Sequence, residues 1–357
     1  MLHLSTFILS PRRSLPGRRD SLVRSPRGSR PELLGRRAPR YNTPVREREH
    51  APSLTLSDKA ADVVAMRLAE QREAVEHALD QFIAPDGESP PLVLQAMRHS
   101  VFAGGKRLRP ILVFAGAEVA GMAIEAVLPA ASAVELIHTY SLVHDDLPAM
   151  DNSPTRRGRP TCHVVYGEAI AVLVGDALHA FAFELLARNA EVPAVPAERV
   201  VRAIAEVARG IGTRGMVGGQ VLDLLAAAKP VASADVHQIH RLKTGSLIRT
   251  CVRIGGVLGG LAAADLEALG RYGKHVGLAF QIVDDILDIV GEEAKLGKGT
   301  GSDAAQAKIT FPSVFGLEAS RRLAQEATTE AIRALEPLGD RGAWLRDLSL
   351  YLLRRDR

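Results

Sequence analysis

Six aspartates in two short clusters are the residues of this chain best suited to chemistry. The stretch HTYSLVHDDLPAMDNSPTRRGRP (138–160) holds Asp145, Asp146 and Asp151, followed closely by Arg156 and Arg157. The second cluster, DDILD, holds Asp284, Asp285 and Asp288 and begins 284 − 145 = 139 residues later. Carboxylates at this density suit magnesium, which takes one or two of them and completes its shell with water and phosphate oxygens. A single DD pair is most often a solvated helix end. Here each cluster closes a strongly apolar run, AVLPAASAVELI or GLAFQIV, where uncompensated charge is expensive. No His/Cys spacing of the kind that holds zinc accompanies them. Two such clusters facing each other would make a site for divalent metal and a polyphosphate.

The spacings differ between the clusters. Asp284 and Asp288 are four residues apart, so they lie about 40° apart on one helical face. Asp145 and Asp151 are six apart, about 240° on an ideal helix, and cannot share a face. Pro148 between them predicts that the helix breaks or bulges and lets Asp151 swing back. The chain must then reverse and present Arg156 and Arg157, whose guanidinium forks match phosphate oxygens. His138, seven residues before Asp145, falls on nearly the same face; it is either a satisfied core histidine or a phosphate contact. Further cations stand in GGKRLRP (104–110), with Lys106, Arg107 and Arg109 at a Gly-Gly turn before a helix. Basic residues there oppose the helix dipole, and bound anion would resolve the conflict. Lys243 and Thr244 sit in KTG, and Lys298 and Lys308 in the Gly-rich stretch beyond the second cluster.

Helices must position these groups. The 357 residues are 46% hydrophobic but only 4% aromatic, and Ala, Leu and Val dominate, which favours packed helices. Ser57 reads as an N-cap, and Val64, Leu68, Val75, Leu79 and Phe82 recur at helical spacing until Pro85 and Gly87. Further helices are predicted over about 91–102, 109–120, 123–147, 168–190, 197–227, 234–260, 263–290, 313–336 and 341–354. The expectation is one all-α domain, 57–357, of about ten or more helices. No uninterrupted apolar run approaches the roughly 18 residues of a membrane span. Cys162 and Cys251 make no disulfide framework and read as buried thiols of a reducing compartment.

Residues 1–56 differ in kind. The first 50 residues hold 12 Arg, no Lys and 4 acidic residues, a net +8, whereas the other 307 hold 33 basic and 37 acidic residues, a net −4. The body therefore has no broad basic face for nucleic acid. The Arg/Ser/Pro-rich leader cannot offset the entropy of ordering and is expected to be disordered. It resembles a transit peptide, but its seven prolines interrupt any amphipathic helix. An upstream extension of a chain truly starting near Met66 is the favoured reading, with a cytoplasmic protein.

GGKRLRP, HDDLPAMD with RRGRPT, GGQVLDL (218–224), KTG and FQIVDDILD followed by GK occur in colinear order. Together they resemble the trans-isoprenyl diphosphate synthases, and the bacterial farnesyl diphosphate synthase type most of all. The resemblance implies an isoprenoid synthase fold with a large central cavity. It implies that Asp145, Asp146, Asp151, Asp284, Asp285 and Asp288 bind on the order of three Mg²⁺ ions that clamp an allylic diphosphate. Arg156, Lys243, Thr244, Gln281, Lys298 and Lys308 would contact that diphosphate, and Lys106, Arg109, His138 and Arg157 would hold isopentenyl diphosphate. The metals would act as Lewis acids on the leaving pyrophosphate, and a dry cavity would protect the allylic carbocation while the second substrate's double bond attacks it. Dimethylallyl and geranyl diphosphate are the implied allylic substrates, and a homodimer the implied assembly. Tyr140, five residues before Asp145, matches an aromatic that stops chain growth at C15. Farnesyl diphosphate is thus the expected product and geranylgeranyl diphosphate the runner-up. A class I terpene cyclase would carry Asn/Asp, Ser/Thr and Glu in place of DDILD, and a silent partner subunit would have lost aspartates. NSPT (152–155) departs from an often acidic stretch but spares every matched ligand.

Overall fold

The computed structural model describes residues 54–226, 233–293 and 310–354. Within them the chain is all-α apart from one two-residue ribbon, as the composition predicts. The helices are α1 (Asp58–Phe82), α2 (Pro91–Val101), α3 (Leu108–Val119), α4 (Leu128–Asp145), α5 (Cys162–Tyr166), α6 (Glu168–Arg188) and α7 (Ala197–Ile211). They continue with α8 (Met216–Ala226), α9 (Ser233–His240), α10 (Ser246–Gly259), α11 (Ala263–Glu293), α12 (Phe311–Phe315), α13 (Leu317–Ala334) and α14 (Ala343–Arg354). Short 3-10 turns cover Ile124–Val127, Asn189–Glu191 and Glu336–Gly342, and a π-helical turn covers Arg241–Gly245.

Ser57 caps α1 as expected, its hydroxyl accepting from the Ala60 N–H at 3.3 Å. Val64, Val75 and Leu79 are buried beneath it, while Leu68 and Phe82 pack at the edge of the core. Three expected helices are interrupted; that over 313–336 breaks at Gly316, which takes φ 81 between α12 and α13. The 197–227 stretch breaks between α7 and α8, because Gly212 and Gly215 sit where helix propensity is lowest and Gly212 takes extended backbone. The 234–260 stretch holds the π turn at its middle, an insertion that hydrophobic periodicity does not register.

Neighbour contacts run α6 to α4, α4 to α3, α3 to α10, and α10 to both α7 and α11, with α13 on the far side of α11. Helices α3, α4 and α10 carry the most completely buried faces, including Ile111, Phe114, Val134, Ile137, Cys251 and Ile254. Glycines permit the α3–α10 approach: a Cβ on Gly116 would stand 1.9 Å from the Val252 carbonyl oxygen. Cys162 and Cys251 are both free and buried, and burial pushes the Cys251 thiol up to about 12.

No apolar run is uninterrupted over the length of a membrane span, but two helical stretches that include charged residues are long and apolar enough to cross a bilayer by length and composition. The stretch 124–145, which contains α4, is 67% buried in the fold over its most apolar window; the stretch 168–191, which contains α6, is only 39% buried.

Candidate active site

A cavity of about 1320 Å³ opens between the α3 start, the C-terminal half of α4, α8, the π turn and α11. Its wall includes Lys106, Arg109, His138, Tyr140, Asp145, Arg156, Arg157, Lys243, Thr244, Gln281 and Asp284. Eleven side chains expected from sequence thus converge on one space. Leu142, Leu147, Val172, Met216, Val221 and Phe280 line its apolar part.

Helix α4 ends at Asp145, and the chain then coils back on itself. The Asp151 N–H donates to the Asp145 carbonyl at 2.8 Å, and the Ser153 N–H to that of Asp146 at 3.1 Å. The break expected at Pro148 therefore returns Asp151 to the cluster, close enough for its charge to act on Lys243 and Arg156. A ribbon follows, β1 (Thr155–Arg156) antiparallel to β2 (Arg159–Pro160). Its two turn residues, Arg157 (φ 53) and Gly158 (φ 75), both take positive φ, as a tight hairpin requires. The turn throws the two arginines in different directions. Arg156 grips Asp146 through Nε and Nη2 at 2.7–3.0 Å, and Arg157 donates to the Gly104 carbonyl beside the basic loop.

The aspartates divide by surroundings. Asp145 and Asp284 both line the cavity, one at the end of α4 and the other on α11. Asp146 and Asp285 are each 4% exposed and are held by protein donors. Asp285 accepts from Gln281 Nε2 at 2.7 Å and from the Phe311 N–H at 2.9 Å. Asp288 is exposed one turn beyond Asp284. Lys298 and Lys308 lie outside the described residues.

Two roles went unassigned in the sequence although their stretch, GGQVLDL, was conspicuous. Gln220 lines the cavity and donates through Nε2 to Asp145 Oδ1 at 2.6 Å, while Asp223 accepts from Lys243 Nζ at 2.7 Å. They stand three apart on one face of α8, the pattern that could have exposed them. Gly219 permits their approach, since a Cβ there would lie 2.2 Å from the Lys243 backbone nitrogen. Arg72 and Glu135 also line the cavity and were not anticipated.

Electrostatics sort the basic side chains into two groups. Burial opposes the charges of Arg156 and Lys243, but their carboxylate partners outweigh it and hold both above their ordinary values. Arg109, Arg157 and His138 are shifted the other way. Burial lowers all three; neighbouring arginines lower His138 and Arg157 further, and carboxylate charge offsets too little of the shift at Arg109 and Arg157. Arg109 Nε is sealed from solvent and has no hydrogen-bond partner. One half of the site is thus charge-balanced by carboxylates, and the other is short of anion.

Tyr140 lines the same cavity. Its ring meets His179 edge-on at 4.8 Å, and His179 meets Phe183 at 5.3 Å. Burial, with Asp145 nearby, raises the Tyr140 hydroxyl to about 12, so it stays neutral.

A family profile described as polyprenyl synthetase matches residues 90–337. The chain belongs to the polyprenyl synthetase family. It is 46% identical over 265 residues to a geranylgeranyl diphosphate synthase of Cyanophora paradoxa, covering 74% of this chain and 87% of that one. It is 43% identical over 284 residues to the farnesyl diphosphate synthase of Escherichia coli (strain K12), covering 78% and 95%. Among solved structures, an apo FPP/GFPP synthase from Zymomonas mobilis superposes with a TM-score of 0.72 at 35% identity, covering 82% of this chain and 99% of that one. The all-α polyprenyl synthetase fold expected from the motifs is the fold observed.

The donor set fits magnesium. Among the described residues no three carboxylate, imidazole or thiol groups converge to cage a metal alone. Hard carboxylate oxygens on two walls of a cation-lined cavity suit an ion that completes its shell with water and phosphate.

Proposed function

We propose that this family member joins dimethylallyl diphosphate head-to-tail to isopentenyl diphosphate, and the resulting geranyl diphosphate to a second isopentenyl diphosphate, giving farnesyl diphosphate with one pyrophosphate and one proton released at each condensation. The observation that carries this reading is the division of the basic side chains. A site for one diphosphate would recruit one balanced set of charges. This cavity has an anion-short group, Arg109, Arg157 and His138, beside a group already matched by carboxylates, Arg156 and Lys243.

The anion-short group binds isopentenyl diphosphate directly, Arg109 and Arg157 through guanidinium forks, with the Lys106 ammonium and the His138 ring beside them. Asp145, Asp151, Asp284 and Asp288 would hold Mg²⁺, which when bound neutralises the leaving pyrophosphate as a Lewis acid. Lys243, fixed by Asp223 and close to Asp145 at 3.8 Å, adds positive charge where that leaving group departs. Thr244 donates to Gln281 Oε1 at 2.9 Å, which leaves the hydroxyl oxygen to accept and fixes the amide for its bond to Asp285. The leucine, valine, methionine and phenylalanine wall excludes the water that would quench an allylic cation.

Product length is set at Tyr140, which lines the cavity and whose ring is backed by His179 and Phe183; this favours C15 over C20. Self-association through α5 and α6 completes the proposal. Val164, Val165 and Leu173 are 47–54% exposed on this pair, an apolar face that a second copy would cover.

The test is incubation of the protein with Mg²⁺, dimethylallyl diphosphate and labelled isopentenyl diphosphate, then sizing the products. A C15 product abolished by EDTA supports the whole reading. A C20 product retains the reaction and discards the Tyr140 stop. No elongation under conditions where a control synthase works overturns the proposal.

A further inference from the structure

Arg107 stands between two residues proposed to hold isopentenyl diphosphate, Lys106 and Arg109, yet its own side chain is turned wholly to protein. Its guanidinium is 0% exposed. Nε donates to Glu76 Oε1 of α1 at 2.8 Å, Nη1 to Glu135 Oε1 of α4 at 2.7 Å, and Nη2 to the Val101 carbonyl at the end of α2 at 2.7 Å. One fork thus ties together three helices. Burial opposes the Arg107 charge, but Glu135 and Glu76 outweigh it and hold the group above its ordinary value.

We infer that Arg107 is a positioning residue, an anchor that fixes the basic loop so that Lys106 and Arg109 face the cavity; the inference rests on the proposed reaction. The backbone shows what the anchor must hold. Arg107 takes φ 51, the left-handed region that costs a side-chain-bearing residue energy, and it occupies the N-cap of α3 with no side-chain cap bond. Gly104 and Gly105 before it have positive φ as well, so the loop has little stiffness of its own. Three hydrogen bonds to rigid helices supply what the loop lacks.

The partner on α4 matters as much. Glu135 is 3% exposed at the side chain, lines the anion-short half of the cavity and lies one helical turn before His138. Unpaired, it would present a buried negative charge to an incoming diphosphate. Paired with Arg107 it is neutralised, and the same bond sets the loop's position relative to His138. Lysine could not replace this arrangement, because a single ammonium lacks the planar fork that reaches three acceptors in different directions.

The experiment compares wild type, Arg107→Met and Glu76→Gln by steady-state kinetics with each substrate varied in turn, alongside thermal melting. Arg107→Met should raise KM for isopentenyl diphosphate by roughly tenfold or more, with KM for the allylic diphosphate moved less than about twofold. Glu76→Gln leaves the Glu135 and Val101 bonds untouched, weakens the third by removing its charge, and lies at a partly exposed site, with 32% of the Glu76 side chain accessible. It should fold even if Arg107→Met does not, and should raise the same KM by a few-fold alone. Equal rises in both KM values, or an unchanged isopentenyl diphosphate KM in Glu76→Gln, overturn the anchor, since a general structural defect has no reason to choose one substrate. If wild type elongates nothing, the proposed reaction fails separately. The anchor is then read by calorimetry with inorganic pyrophosphate, which Glu76→Gln must bind more weakly than wild type if the anchor stands.

Discussion

Replacing Gly219 with alanine adds one carbon and tests the geometry of the whole carboxylate half. The new Cβ would lie 2.2 Å from the Lys243 nitrogen, 2.6 Å from its Cα and 2.7 Å from the Leu242 carbonyl carbon. All three are backbone atoms of the π turn, so no side-chain rotation relieves the clash. Reaching ordinary contact at 3.4 Å requires α8 and the π turn to separate by about 1.2 Å. Overpacking of this kind costs about 1–3 kcal/mol. The functional loss should be larger than the stability loss suggests. Gln220, next to the substituted residue, holds Asp145 at 2.6 Å, and Asp223 holds Lys243 at 2.7 Å, so a shift of that size breaks both bonds. Misplacement by about 1 Å can lower turnover about a hundredfold. Chemical denaturation reads the first effect, and the rate of labelled isopentenyl diphosphate incorporation reads the second. A Gly219→Ala protein with wild-type turnover would refute the claim that α8 positions Asp145 and Lys243.

Further expectations follow from the same geometry. Asp145→Asn should lower turnover by about 10²–10³ with little change in stability, whereas Asp146→Asn should cost about 2–4 kcal/mol on denaturation because it breaks the Arg156 pair; equal stability of the two variants would contradict the division. Tyr140→Ala should shift product from C15 towards C20, and Tyr140→Ala with His179→Ala should go further, as chromatography of the dephosphorylated alcohols would show. His138 has its native value lowered by burial and by its arginine neighbours. Below about pH 6.5 the unfolded chain therefore binds a proton that the fold refuses, so stability falls as pH falls; His138→Gln should flatten that slope in melting measurements between about pH 5 and 8. A chain begun at Met66 loses the Ser57 cap and the buried Leu56 and Val64, about 3–5 kcal/mol in all, so it should unfold earlier than one begun at Leu54.

The legible parts of this fold are those that periodicity and breakers encode. Helices expected over 91–102 and 168–190 appear as Pro91–Val101 and Glu168–Arg188, bounded by proline or glycine. The return of Asp151 was legible because Pro148 could not continue a helix. What escaped was conformational exception. Arg157 adopts a left-handed turn position usually given to Asn or Gly, so the ribbon carries no strand signature. The π turn adds a residue without altering polarity, yet it holds Lys243 and Thr244. Glu135 was hidden for a different reason: inside an apolar run it signals a buried partner, and the partner, Arg107, lies 28 residues away among other cations.

The paired aspartates follow one rule at both walls. Adjacent helical residues point about 100° apart, so when one member of a DD pair faces a cavity the next must face a neighbouring element. Asp145 looks into the cavity and Asp146 is taken by Arg156; Asp284 looks into it and Asp285 is taken by Gln281 and the Phe311 N–H. A second carboxylate in the cavity at either place would add repulsion without reach. Turned aside, it does separate work. Asp146 holds the arginine that the ribbon delivers. Asp285, 4% exposed, accepts from the Gln281 amide nitrogen and so turns the amide oxygen to the Thr244 hydroxyl. The doubled aspartate is therefore one cavity carboxylate and one anchor. This explains why the residues around it, Arg156, Gln281 and Thr244, are found in fixed bonds before any substrate arrives.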